Sequence, residues 1–212
     1  MLRSLWMHFD LSRRTVLLGA LIAASLPFSA TAQSTPAQLI TAMREGGKVV
    51  FLRHAMTVAE QVDTGRLGDR AGQRNLSPAG IEQARALGRA FHALDLHFGR
   101  ILVSPVFRAR DTAELAFGAG NFTESMDVVA DEYAGDQVNF MVESTRRLLR
   151  TQPANGANLL IVGHRTPLEM VTRQRFPDTI LPEGAMAVFI PTGNEARLMG
   201  SVTAEQLIAA SG

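Results

Sequence analysis

A three-layer α/β fold, with a mainly parallel sheet flanked by helices, is predicted by two features of the sequence. Short apolar runs alternate with stretches of helical spacing, the signature of strand–helix repetition. Two of those runs, Lys48-Val-Val-Phe-Leu-Arg53 and Asn158-Leu-Leu-Ile-Val162, are unbroken rather than alternating, as a strand covered on both faces requires. The 212 residues, 46% hydrophobic and 19% charged, suffice for one packed core and exclude wholesale disorder. A formal charge of +1 excludes a strongly basic surface for coating nucleic acid. Cysteine is absent, which removes disulfides, thiolate nucleophiles and Cys-ligated metals.

The elements follow in order. Ser12-Arg13-Arg14, an apolar run from Thr15 to Phe28 and the small-residue site Ala30-Thr31-Ala32 describe an export signal over residues 1–32, cleaved before Gln33. The run is too short for the roughly 20 residues of a membrane span, and the paired arginines are twin-arginine-like, although Val16 and Leu18 leave the Sec route open. Residues 33–212 then form a single domain. Thr35-Pro36 starts a helix that Gly46-Gly47 stops, and 48–53 is a strand. Residues 54–75 make a long polar loop. Ser77-Pro78 opens an amphipathic helix with Ile81, Ala84, Leu87, Phe91 and Leu94 on one face. Ile101-Leu-Val103 is a strand, Ser104-Pro105 starts a helix toward Phe117, Val128-Val-Ala130 is a third strand and 137–150 a helix. Asn158 to Val162 is the fourth strand, ending at Gly163-His164. Ala185 to Ile190 and Ala196 to Val202 form a hairpin about Thr192-Gly-Asn194, and Ala204 to Ala210 closes the chain as an amphipathic turn.

Ligands of open α/β sheets bind beyond the carboxyl ends of the strands. There the sequence puts Arg53-His54, Ser104-Pro-Val-Phe-Arg108-Ala-Arg-Asp-Thr112 and Gly163-His164. Two arginines and two histidines on one edge make a pocket for a tetrahedral oxyanion, because guanidinium forks donate in pairs and never deprotonate.

Leu52-Arg53-His54-Ala55-Met56-Thr57, Asn75-Leu-Ser-Pro-x-Gly80-x-x-Gln83-Ala84, Ser104-Pro-x-x-Arg108-Ala-x-x-Thr112-Ala113 and Val162-Gly163-His164 resemble the histidine phosphatase superfamily, in its phosphoglycerate-mutase-like branch. The resemblance spans roughly residues 46–202. It implies that His54 is a nucleophile carrying the phosphoryl group as phosphohistidine, and that Arg53, Arg108 and His164 hold the non-bridging oxygens. Thr57 would touch phosphate. His54 would attack as neutral imidazole, its other nitrogen donating to a backbone carbonyl. The chemistry implied needs no metal or other cofactor, and the partner is a small phosphorylated substrate rather than nucleic acid; the signal implies engagement of export machinery and a periplasmic or secreted destination.

In members that use a general acid, it lies after the third strand. Aligning Gly135-Asp136 on the family's Gly-Asp puts it at Asp131, with Glu132 as the alternative whose side chain points elsewhere if the segment is extended. The family's glycine after the nucleophile is Ala55 here, and Glu60 stands near the place of its asparagine. Arg66, Arg70 and Arg74 are either substrate contacts or solvated charges. A phosphomonoester hydrolase is the leading reading. A non-catalytic phosphate-binding module on the same fold is the alternative, and a mutase is disfavoured by the 27 positions between 131 and 157.

Overall fold

The computed structural model describes residues 34–212. The export signal and its cleavage position lie outside the described residues. Thr35 caps α1 (Pro36–Glu45) by a reciprocal pair: its hydroxyl accepts the Gln38 N–H, and the Gln38 side chain accepts the Thr35 N–H. The strands are β1 (Val49–Arg53), β2 (Phe98–Val103), β3 (Thr123–Glu124), β4 (Asn158–Gly163), β5 (Met186–Pro191) and β6 (Ala196–Val202), in sheet order β3-β2-β4-β1-β5-β6. The first four run parallel; β5 and β6 are added antiparallel at the β1 side.

Period-two alternation divides the strands between two cores. Val50, Leu52, Leu160 and Val162 pack with α1, α2 (Pro78–Ala93), α3 (Phe107–Phe117) and α7 (Ala204–Ala210), through Met43, Leu87, Phe91, Ala109, Ala113 and Leu207. Val49, Phe51, Leu159 and Ile161 pack on the other face with α5 (Val138–Arg150) and α6 (Arg165–Thr172), through Leu149, Leu168 and Val171. Both faces of the sheet are covered, as the apolar strands demanded.

Three local expectations are corrected. Val128-Val-Ala130 is not a strand: the third strand is the two-residue β3, and 126–128 is a 3₁₀ turn. Burial is what the apolar run encodes, and a capped turn satisfies it equally, since Ser125 Oγ accepts the Asp127 N–H and Thr145 donates to the Asp127 carbonyl. The segment that follows is a helical turn, α4 (Asp131–Ala134), so the side chains of 131 and 132 do not alternate as in a strand. Finally, α6 directly after His164 is a helix the periodicity did not show; Pro167 sits in its first turn, where its missing N–H costs nothing.

Candidate active site

Strand register brings the motifs together. Arg53 pairs with Gly163 and Val103 with Val162, so β1, β4 and β2 end level with one another. The chain stays tied one residue further: the His54 N–H donates to the Gly163 carbonyl at 3.1 Å and the Ser104 N–H to the Val162 carbonyl at 3.0 Å. His54, Ser104 and His164 therefore leave adjacent strands at one edge, and Arg108 enters from the first turn of α3. His54, Arg108 and His164 are all buried. The two imidazole rings lie 5.3 Å apart, centroid to centroid.

Motif residues outside the edge hold the loop that follows β1. Thr112 Oγ1 accepts the Ala55 N–H at 2.9 Å and donates to the Arg108 carbonyl at 2.6 Å, joining the residue after His54 to the arginine's helix. Gln83 accepts the Met56 N–H and donates to the Glu183 carbonyl. Gly80 leaves room for the same loop: a Cβ there would fall 1.9 Å from the Met56 carbonyl oxygen. Ala55 in place of glycine does no harm, because its backbone is not in the left-handed region and its side chain is buried.

Protonation is set by burial. Desolvation, followed by the charge of Arg108, pushes both His54 and His164 well below the ordinary histidine range, so both are neutral at pH 7. His54 Nδ1 lies 2.9 Å from the Ala55 carbonyl. A carbonyl only accepts, so Nδ1 carries the proton and Nε2 keeps its lone pair, as the resemblance implied. Ser104 Oγ and His164 Nε2 share a hydrogen bond of 2.8 Å. His164 Nδ1 and Arg53 Nε are buried with no partner among the described residues.

Each arginine faces a carboxylate that sequence reading did not single out. Arg108 Nη1 donates to Asp63 at 2.8 Å, and Asp63 also accepts from the Tyr133 hydroxyl at 2.5 Å and the Arg74 N–H at 3.1 Å. Burial raises the Asp63 carboxyl, but these donors and the Arg108 charge together outweigh it and hold it below the usual carboxylate range. Arg53 Nη1 donates to Asp178, which Arg165 also reaches at 2.6 Å, and to the Leu181 carbonyl. Glu183 lies 3.8 Å from Arg53 and 4.0 Å from Arg74. Among the loop arginines the structure discriminates. Arg74 joins the site; Arg70 instead forms a two-bond pair with Asp111 and covers the Phe107 ring at 4.0 Å; Arg66 and Glu60 are exposed.

Two expectations change roles here. The Thr57 hydroxyl donates to Glu183 at 2.7 Å and its N–H to the same carboxylate at 3.1 Å, so its single O–H proton is already committed away from a phosphate. Of the carboxyl pair, Glu132 is the one whose oxygen lies 4.0 Å from the Arg108 guanidinium. Burial first, and then the negative charge of Asp131, raise the Glu132 carboxyl above its ordinary range. No signal in the sequence distinguished Asp63, Asp178 or Glu183 from other loop carboxylates.

The model of the histidine phosphatase superfamily (branch 1) matches residues 49–132, from β1 through Glu132. No curated protein sequence matches the chain. Among solved structures, the protein histidine phosphatase SixA complexed with tungstate superposes with a TM-score of 0.52 at 14% identity, over 76% of this chain and 99% of its own. The product of open reading frame Rv3214 from Mycobacterium tuberculosis gives 0.54 at 18% identity, over 74% of this chain and 98% of its own. The family's pattern thus runs through residues 49–132, which carry the Arg53-His54 and Arg108 motifs, and the fold of these proteins is shared over about three quarters of this chain.

Proposed function

We propose that the protein hydrolyses phosphomonoesters through a phosphohistidine at His54. The observation that carries this is the ring geometry: Nδ1 is tied to the Ala55 carbonyl in a buried, neutral imidazole, which leaves Nε2 as the nucleophile. Nε2 forms a bond to phosphorus while the bond to the leaving oxygen breaks, and that oxygen takes the electron pair. Arg108, Arg53 and His164 hold the three non-bridging oxygens. With the Ser104 hydroxyl donating to His164 Nε2, the partnerless His164 Nδ1–H and the Arg53 Nε–H are donors for such oxygens. Charged donors fixed before reaction begins can lower the barrier by several kcal/mol.

A leaving alkoxide needs a proton. The raised carboxyl of Glu132, beside Arg108, supports it as the donor in preference to Asp131. Water then attacks phosphorus, returns a proton to Glu132 and restores His54. The export signal read from residues 1–32 supports a periplasmic phosphomonoester as the substrate. Intact mass of the periplasmic protein, beginning at Gln33, tests that destination; a product confined to the cytoplasm or retaining Trp6 overturns it. Rapid quench of the purified protein with labelled p-nitrophenyl phosphate should trap an acid-labile, alkali-stable phosphoenzyme that His54→Ala abolishes. Undiminished turnover in that variant refutes the mechanism.

A further inference from the structure

The antiparallel addition of β5 to β1 does more than extend the sheet. Leu52 pairs with Met186 and the Arg53 N–H donates to the Ala185 carbonyl, so the residues before β5 are zipped against those after β1. The Gly184 N–H continues this by donating to the His54 carbonyl at 2.8 Å. Gly184 sits at φ +83, in the left-handed region, and a Cβ there would lie 2.6 Å from the Gln83 side chain. Glu183, the next residue out, is thereby placed beside Ala55. One of its oxygens lies 4.0 Å from His54 Nδ1, 3.8 Å from Arg53 Nη2 and 4.0 Å from Arg74 Nη2, and accepts the Thr57 hydroxyl at 2.7 Å.

We infer that Glu183 is a positioning residue for the nucleophile: its carboxylate stabilises the positive charge that appears on the His54 ring when the phosphoryl group bonds to Nε2. The inference rests on the phosphohistidine mechanism proposed above. Attack by neutral imidazole uses the Nε2 lone pair while Nδ1 keeps its proton, so the phosphorylated ring is an imidazolium. No proton moves to Glu183; the P–N bond forms, the P–O bond breaks, and the leaving oxygen is protonated elsewhere. Around this ring the cations Arg108, Arg53 and Arg74 all oppose positive charge. Arg108 and Arg53 hold the phosphate oxygens in that mechanism, so they cannot be withdrawn to favour the ring. A carboxylate on the Nδ1 side, remote from the attacking Nε2, answers the conflict. It is itself fixed by two donors from Thr57, N–H and O–H.

Its position makes two quantities move in opposite directions when the charge is removed. A negative group near a bound phosphate weakens anion binding but favours the phosphorylated ring. Glu183→Gln keeps the shape and an oxygen for Thr57 while deleting the charge. In single-turnover quench with p-nitrophenyl phosphate, phosphoenzyme formation should slow by about 10- to 100-fold, the scale for losing an opposite charge some 4–6 Å away. Inorganic phosphate should meanwhile inhibit several-fold more tightly, and Glu183→Asp should recover most of the phosphorylation rate. A purely architectural residue would instead weaken phosphate inhibition and lower the melting temperature, with no recovery specific to charge. Unchanged phosphorylation in Glu183→Gln, or weaker phosphate inhibition, overturns the assignment. Should Glu183→Gln fail to fold, Glu183→Asp decides alone: near-native phosphorylation supports the assignment, and loss comparable to His54→Ala in a folded protein overturns it. Wild-type protein that forms no phosphoenzyme overturns the hydrolase mechanism and this role together; wild-type phosphorylation with an unaffected Glu183→Gln overturns this role only.

Discussion

At the level of single residues, the division of labour within the Asp131–Glu132 pair is testable by pH. A general acid works only while protonated, and burial together with the Asp131 charge raises the Glu132 carboxyl above its ordinary range. His54, held below the usual histidine range, is already neutral at pH 7, so it imposes no acidic limb near pH 6.5. The kcat for an alkyl phosphate should therefore fall as pH rises through the Glu132 titration. Glu132→Gln should cost about 10²- to 10⁴-fold on alkyl phosphates, and at most about tenfold on p-nitrophenyl phosphate, whose leaving group needs little protonation. Asp131→Asn removes the neighbouring negative charge, so the basic limb should move to lower pH without disappearing. Equal small losses from both variants on both substrates would leave the acid elsewhere. Steady-state pH profiles of three proteins on two substrates decide the matter.

Elements, rather than residues, keep the nucleophile's loop in place. Its floor is α2, which meets the loop at Gly80 with no room for a methyl group. Gly80→Ala should cost about 1–3 kcal/mol, the scale of overpacking, despite alanine's better helix propensity, and should slow turnover by displacing Met56 and with it His54. Denaturant midpoints and kcat check this; a stabilised, fully active variant would show the loop to be free. The same contacts explain what could be read from the chain beforehand. β1 and β4 were legible because continuous apolar runs have few other uses, and Arg53, His54, Arg108 and His164 were legible because they stand at fixed distances from strand ends. Val128 to Ala130 misled because apolar residues that end a capped 3₁₀ turn and lead into a short helix bury as deeply as in a strand. Asp63 and Glu183 were invisible for another reason. Each lies in a loop without periodicity, and reaches the site by tertiary closure: Asp63 through the Tyr133 hydroxyl and the Arg74 N–H, Glu183 through the antiparallel zip to β1.

For the molecule as a whole, two buried neutral histidines and two depressed aspartates, Asp63 and Asp178, shape the dependence of stability on pH. A histidine near pKa 6.5 when unfolded, but well below it when folded, binds protons in the unfolded state first. Its contribution is complete above about pH 6.5 and is lost as pH falls from there through the folded value. Asp63 and the more exposed Asp178 add a second loss only below about pH 4, since their folded values lie under the ordinary carboxylate one. The protein, whose described residues 34–212 lie in one compact unit, should thus keep a constant urea midpoint at pH 7–8 and weaken between pH 6.5 and 5, by up to about 2 kcal/mol per histidine. His54→Asn combined with His164→Asn should flatten that interval. A midpoint unchanged down to pH 5 in the wild type would contradict the protonation states assigned to the site.

The pairing of every site arginine with a carboxylate from a loop or turn has a consequence for how anions arrive. Arg53, Arg74 and Arg108 meet Asp178, Glu183 and Asp63, so the pocket carries its own tethered counterions and does not recruit them from solution. Phosphate binding is then an exchange of one anion for another inside the protein, with few mobile ions released. Unpaired cationic pockets lose affinity for anions steeply with added salt, because the salt screens their charge and its anion competes for them; this one should not. Between about 50 and 500 mM sodium chloride, KM for a phosphomonoester should change only a few-fold. Asp63→Asn, which deprives Arg108 of its tether, should steepen that dependence while tightening phosphate at low salt.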